Sequence, residues 1–479
     1  MFEEFPERLR QIVGDQHVLT NPADTAHFLT DHRQRYHGEA LAVVRPSSTA
    51  EVSAVVGACA ERGVAITPQG GNTGLCAGAT PLSGRAGILL RLDRMNRIRD
   101  LSPLNDTITA EAGCVLADIQ AAAASVDRLF PLSLGAEGSC QIGGNVSTNA
   151  GGIGVLRYGS MRQLVLGLEV VLPDGAVLNG LRALRKDNAG YDLKQLFVGA
   201  EGTLGVVTAA VLKLWPALHA RSFAMVQIGG VQDALLLFER ARNVFGEQIA
   251  SFEIIGASYL DFVLRYVQGT AMPFAQPAAW YVQIEAADPA TDLDLDRKME
   301  TLLGAALEDG LISDAIIAGS VAQAEALWRL RHGVNTEFRI AGRVIAHDTS
   351  VPVSRQPGFT EATEAAVRAA YPDATVMMVG HIGDGNIHVV VLFTHDRFAD
   401  EPAFQAAADR IDTIIDDIAV GLGGSITAEH GVGSTYRARL ARTKEPIELD
   451  LMRRIKATLD PQGLMNPGKV LIASARQVA

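Results

Sequence analysis

Cysteine is scarce in this chain. Four occur in 479 residues, Cys59, Cys76, Cys114 and Cys140, all in the first third and none in CxxC spacing. That argues against a disulfide scaffold and against a cysteine-built metal site, and suits small buried residues of a reduced, intracellular protein. Positive charge is also short: 42 Lys and Arg face 54 Asp and Glu, a formal net charge of −12. Without a basic stripe to neutralise phosphates, no nucleic-acid partner is expected. No apolar run approaches the length of a membrane span, so no transmembrane segment is expected either. The first residues, MFEEFPERLRQIVGD, are charged and lack the apolar stretch of a secretory signal, which leaves the cytoplasm as the expected compartment. Two nucleotide-binding fingerprints are missing as well, GxGxxG after the first strand and the GK[ST] ending of a phosphate loop.

The residues that are present make a compact protein. Hydrophobic content of 48% rules out broad disorder, and 479 residues exceed what one core holds, so two or three domains are expected. LAVVRP reads as a strand, PSSTAEVSAVVGACAERG as a helix opened by Ser47 and Ser48 and closed by Gly63, and VAITP as the next strand. The unit ends in Pro68-Gln69-Gly70-Gly71-Asn72-Thr73-Gly74, where backbone N–H groups can approach phosphate oxygens. A second glycine-dense tract, Gly135 to Gly152, lets a large ligand lie against backbone or is a surface loop. LGLEVVLPDGAVL predicts a hairpin turning on Pro173-Asp174-Gly175, and a third small-residue turn, Gly199 to Gly205, precedes the strand VVTAAVLKLW.

From about Ser222 strands and helices alternate with few glycines, which predicts an antiparallel sheet backed by helices. Arg331 and Asn335 are four apart and share a helix face, suited to a carboxylate or, more plainly, to a solvated ion-pairing surface. Val379 to Val391, VGHIGDGNIHVVV, predicts two strands turning through Asp384-Gly385 with His381 and His388 on either side. Ala428-Glu429-His430-Gly431 follows some forty residues later. His381, His388 and Glu429 can hold one divalent metal with His430 beside it; the alternative is two strand-end histidines satisfied by hydrogen bonds.

RPSSTAEV, PQGGNTG, IGGNVSTNAGG, the PDG hairpin and GAEGTLGVVT, in that order, resemble the FAD-binding domain of the vanillyl-alcohol-oxidase superfamily. The resemblance implies an α+β fold. A two-subdomain FAD-binding domain would span residues 1–218 and an α+β cap 219–424. A helical segment, 425–479, would return to the FAD domain. It implies that Pro68, Gly70, Gly71, Asn72, Thr73 and Gly74 hold the FAD pyrophosphate. Gly138, Ser139, Gly143, Gly144, Asn149 and Gly152 would line the rest, with Glu201 and Gly202 near the far end and Asn466 where the tail returns to the flavin. No histidine occurs in 68–80 or 133–160, so the FAD is expected to be non-covalent.

GH-x-GDGN-x-H, AEHGVG and MNPGK narrow the resemblance to the FAD-dependent D-2-hydroxyacid dehydrogenase branch. It implies His381, His388 and Glu429 as ligands of Zn²⁺ (Mn²⁺ and Co²⁺ also suit the set), His430 as the base, and Asn386, Arg331 and Asn335 as substrate contacts. A metal-polarised hydroxyl would lose its proton to His430 and a hydride would pass to flavin N5. D-2-hydroxyglutarate is the implied substrate, with D-lactate or another D-2-hydroxy acid as the alternative and a transferase of the same fold as the rival. The sequence departs from the pattern at Asn335, usually threonine, and at Ala346, usually a lysine associated with a second carboxylate. With no nicotinamide motif, the expected electron acceptor is a protein carrier or a quinone. Nothing marks the oligomeric state, and a homodimer is the working expectation.

Overall fold

The computed structural model describes residues 4–82, 84–334 and 337–472. The chain divides into two compact units, one of residues 1–152, 158–217 and 429–479, the other of 153–157 and 218–428. The short segment 153–157 belongs to the second unit, where Leu156 packs on its core and Arg157 donates to the carbonyl of Ala287 at 2.7 Å.

The first unit holds two main sheets. In the four-stranded one, Ala42–Val44, Gly87–Arg91 and Ala65–Gln69 run parallel, with Val18–Leu19 antiparallel at the edge. The parallel strands are apolar runs because both faces are covered. Helix Thr49–Arg62 makes the crossover; Ser48 caps its start by accepting from Glu51 N, and Gly63, left-handed, ends it. Chain from the far end completes this sheet: Met465 bridges Ile66 in parallel, beyond helix Pro446–Leu459. The five-stranded sheet runs Ile98–Ser102, Thr107–Glu111, Val206–Lys213, Val165–Val171 and Val177–Gly180, antiparallel throughout. The last two strands are the hairpin predicted on Pro173-Asp174-Gly175. Part of the second glycine tract is helical, Ile142–Ser147, because its small residues let the segment lie close on the strands.

The second unit is a seven-stranded antiparallel sheet. Its order is Asp314–Ile317, Ala220–Ile228, Trp280–Asp288, Ile249–Gly256, Thr375–His381, Asn386–Phe393 and Arg343–Ser350. Alternate residues point to opposite faces. Ile387, Val389 and Val391 join the larger core with helices Val231–Phe245, Leu295–Glu308, Gln356–Ala370 and Glu401–Gly421. The other face meets helices Ala257–Tyr266 and Val321–His332. Ser425 and Thr427 bridge Ser350 and Asp348 and so cover the end of the edge strand. Among the described residues no helix is long and apolar enough to cross a membrane.

Candidate active site

In the first unit the glycine-rich segments converge on one cleft. Its walls include Pro68, Gly70, Gly71, Asn72, Thr73, Gly74, Gly143, Gly144, Glu201, Gly202 and His430. The glycines are there for close approach. A Cβ on Gly71 would stand 2.1 Å from the Ser139 carbonyl oxygen, and one on Gly143 would stand 2.7 Å from the Ala112 side chain. Two buried side-chain oxygens at the cleft, Gln141 Oε1 and Asn145 Oδ1, have no hydrogen-bond partner among the described residues. Buried polar atoms are seldom left so unless a ligand or water meets them. A backbone-lined cleft with waiting acceptors fits an extended dinucleotide such as FAD.

Glu201, in the wall of the cleft, also holds a turn of the backbone. Its carboxylate is buried and accepts from the backbone N–H groups of Val432 and Gly433 at 2.8 and 2.7 Å. Burial raises its pKa, and those two donors oppose the rise. The same turn is locked sterically, since a Cβ on Gly433, at φ +53°, would stand 1.9 Å from the Cys76 carbonyl oxygen. Glu201 thus fixes the turn that begins at Glu429 and His430 and sets the His430 imidazole in the cleft wall; His430 Nε2 lies 3.8 Å from Glu429 Oε1. Asn466 donates its amide to the carbonyls of Gly78 and Glu201, and Lys469 donates to the carbonyl of Thr80, so the tail ties down the same segments. Gly138, Ser139, Asn149, Gly152 and Asn466 are not among the residues that line the cleft. Asn149 Oδ1 accepts from Ser160 and Arg162 N, and Gly152 (φ +116°) presses on the Ser133 carbonyl.

In the second unit the polar residues share one sheet face. Val379 opposes His388, so His381 and His388 project on the same side of adjacent strands, with ring centroids 5.8 Å apart. The turn between them needs Gly385 at φ +95°, where a Cβ would meet the Val351 carbonyl oxygen at 2.4 Å; Asp384 Oδ1 accepts from Asn386 N, as a turn residue does. Asp348, cross-strand from His388, lies 3.7 Å from its Nδ1 and also accepts from Ala428 N at 3.0 Å. Glu429 is the next residue along the chain. The amide of Asn386, expected at the substrate, donates to Asp348 Oδ1 and to the Thr349 carbonyl at 2.9 and 2.8 Å, so both of its N–H groups are engaged within the sheet.

Glu253, a residue the sequence did not single out, joins the rest. It is fully buried, and its two oxygens meet His381 Nδ1 at 2.7 Å and Arg331 Nε at 2.9 Å. Burial pushes its carboxyl up, but the charges of His381 and Arg331 overrule that and hold it at about 2. A carboxylate against Nδ1 fixes the ring of His381, the arrangement found behind metal-ligating histidines. Two such imidazoles near carboxylates fit a divalent ion of the zinc type. Arg331 is buried too, and its Nη2 has no partner among the described residues. Burial and Arg331 hold His332 neutral, at about 3. Asn335 lies outside the described residues.

A glycine-built dinucleotide cleft on one unit, and a helix-backed antiparallel sheet on the other, define a flavin-dependent oxidoreductase of the vanillyl-alcohol-oxidase fold. The comparisons with known proteins agree. Residues 40–180 match a model described as "FAD binding domain", and residues 218–470 one described as "FAD linked oxidases, C-terminal domain". The chain is 37% identical over 464 residues to the D-2-hydroxyglutarate dehydrogenase of Xanthomonas citri pv. viticola, covering 96% of each. It is 37% identical over 454 residues to the mitochondrial D-2-hydroxyglutarate dehydrogenase of Bos taurus, covering 95% of this chain and 81% of that one. Among solved structures, p-cresol methylhydroxylase with substrate bound is similar in fold, with TM-score 0.75 at 18% identity, over 98% of this chain and 96% of that one. The chain belongs to the FAD-linked oxidase family, in its D-2-hydroxyacid dehydrogenase branch.

Proposed function

We propose that the protein oxidises a D-2-hydroxy acid to the 2-oxo acid, with FAD held non-covalently in the glycine cleft and a divalent ion on His381, His388 and Glu429. The observation that carries the reading is the His430 imidazole in the wall of the FAD cleft. FAD, when bound, supplies the hydride acceptor. A Zn²⁺-type ion supplies the Lewis acidity that makes a substrate hydroxyl a better acid.

The chain's own residues do the rest. His430, in the wall of the cleft, takes the hydroxyl proton as general base. Arg331 offers Nη2 to the substrate carboxylate while Glu253 holds its Nε, so the guanidinium is aimed before substrate arrives. Glu253 also sets the ring of His381. Glu201 keeps His430 at the cleft through the Val432–Gly433 turn. The names of the two relatives put D-2-hydroxyglutarate first among substrates to try, ahead of D-lactate. Electrons then leave for a protein carrier or a quinone, and the absence of a nicotinamide motif supports that choice. We place the protein in the cytoplasm as a homodimer, the first supported by four buried cysteines that form no disulfide.

The test is anaerobic mixing of purified holoenzyme with D- and L-2-hydroxy acids, with and without EDTA. Net bleaching of the flavin by the D-series alone, abolished by EDTA and restored by Zn²⁺, is expected. Bleaching untouched by exhaustive chelation overturns the metal assignment, and no net bleaching favours the transferase of the same fold.

A further inference from the structure

The carboxylate of Asp348 joins three segments of the second unit. It lies on the edge strand Arg343–Ser350, is 2% exposed, and stands cross-strand from His388, whose Nδ1 is 3.7 Å from Oδ1. The same Oδ1 accepts from the amide of Asn386 at 2.9 Å. Oδ2 accepts from the Thr427 hydroxyl at 3.1 Å and from Ala428 N at 3.0 Å. Just beyond, Ser425 and Ser350 exchange backbone hydrogen bonds at 2.8 and 3.2 Å. Residues 425–428 are thus laced to the edge strand, and the tie at Asp348 falls one residue before Glu429.

Resting on the metal reading above, we infer that Asp348 is a positioning residue for metal binding: it fixes the segment that leads into Glu429 against the strand that carries His388. A backbone hydrogen-bonded at residue 428 restricts where Glu429 can swing. Ligands ordered before the ion arrives bind it more tightly, because less conformational entropy is lost on binding. The task needs a carboxylate, since both oxygens accept and their donors come from different segments. An asparagine of the same shape has one acceptor oxygen and one NH₂ group. Whichever way it turns, its NH₂ meets a donor, the Ala428 N–H on one side or the Asn386 amide on the other. Flipping Asn386 does not repair this. Its oxygen would then meet the Thr349 carbonyl, which its Nδ2 now serves at 2.8 Å. A buried N–H left without an acceptor is costly, so the segment before Glu429 shifts.

The experiment strips the full-length, FAD-loaded protein of metal and titrates it with Zn²⁺ against a chromophoric chelator, with thermal melting alongside. Asp348→Asn should raise the Zn²⁺ Kd by roughly 10-fold or more, as loss of a group standing behind metal ligands does, with flavin content unchanged. Thr427→Val removes one donor to Oδ2 and should raise Kd by about threefold; it covers the case in which Asp348→Asn does not fold. Thr349→Val is the control. The Thr349 hydroxyl donates to the Ile387 carbonyl at 2.7 Å, and its side chain alternates to the other face of the strand from Asp348. Its loss should lower the melt and leave Zn²⁺ affinity alone. Wild-type affinity in Asp348→Asn overturns the inference. Equal weakening in Thr349→Val does so too, by making the loss one of general stability. Unchanged affinity in Thr427→Val beside a weakened Asp348→Asn also overturns it, by making Asp348 a ligand and not a clamp. A wild type that takes up no Zn²⁺ overturns the metal reading instead.

Discussion

The cleft of the first unit and the polar face of the second solve opposite problems. The cleft is made of backbone: glycines at Gly70, Gly71, Gly143 and Gly144 expose main chain to a ligand, and its shape depends on what side chains are missing. The polar face is made of side chains: His381, His388, Asp348, Glu253 and Arg331 are set by strand register and by one shared carboxylate. A site of the first kind fails when an atom is added. A site of the second kind fails when a charge or a donor is removed, with the fold intact.

That contrast is open to direct attack. The largest effect is expected from Gly71→Ala, whose methyl would collide with the Ser139 carbonyl; overpacking of this kind costs about 1–3 kcal/mol, and the purified protein should be colourless and melt early. Gly144→Ala meets no protein atom within 4 Å, so its melt should match wild type while flavin content falls. Equal melting losses in the two would refute the steric account of the cleft. Next comes His430→Asn, which should keep flavin and Tm yet slow flavin reduction by roughly 10²–10⁴, the usual worth of a general base. Reduction at the wild-type rate in stopped flow removes His430 from that role. Glu253→Gln should keep flavin and lose about 10–100-fold in kcat/KM together with metal content, because it supports two groups without touching substrate. Full metal occupancy by elemental analysis would show that Glu253 serves Arg331 alone.

The smallest effect tests the tail. Burial holds the Lys469 ammonium at about 8 against the usual 10.5, so the unfolded chain binds more protons between those values. The penalty for burying the charge is present in full below pH 8 and is relieved as pH rises to 10.5, by at most about 3 kcal/mol. Wild type should therefore gain stability relative to Lys469→Met over that window. A parallel pH profile for the two proteins would mean that Lys469 is hydrated after all.

Much of this was legible in the sequence, for a physical reason. Glycine turns, the Asp384-Gly385 hairpin and the crossover helix from Ser48 to Gly63 are local, and local backbone demands leave local signatures. Glu253 left none. It sits in SFEII, an unremarkable strand, and its partners are 78 and 128 residues away, so only tertiary register reveals it. Asn386 and Glu201 lay in visible motifs, yet the structure gives each a hydrogen-bonding duty, to Asp348 and to the Val432–Gly433 turn, that a motif does not encode. Gln141 and Asn145 were hidden among small residues whose glycines drew the attention.

The Glu201 clamp also sets a schedule. Its two donors stand 231 and 232 residues downstream, and Ile66 gains its neighbour Met465 later still. At a synthesis rate of about 5–20 residues per second, the first unit waits roughly ten to fifty seconds between making its acid and making the turn that satisfies it. Residues 218–428, all of the second unit but its segment 153–157, are synthesised inside that interval. A nascent chain halted before Val432 therefore carries every cleft glycine and neither of the N–H groups that hold Glu201, and full-length release is the moment at which the cleft can close around its base.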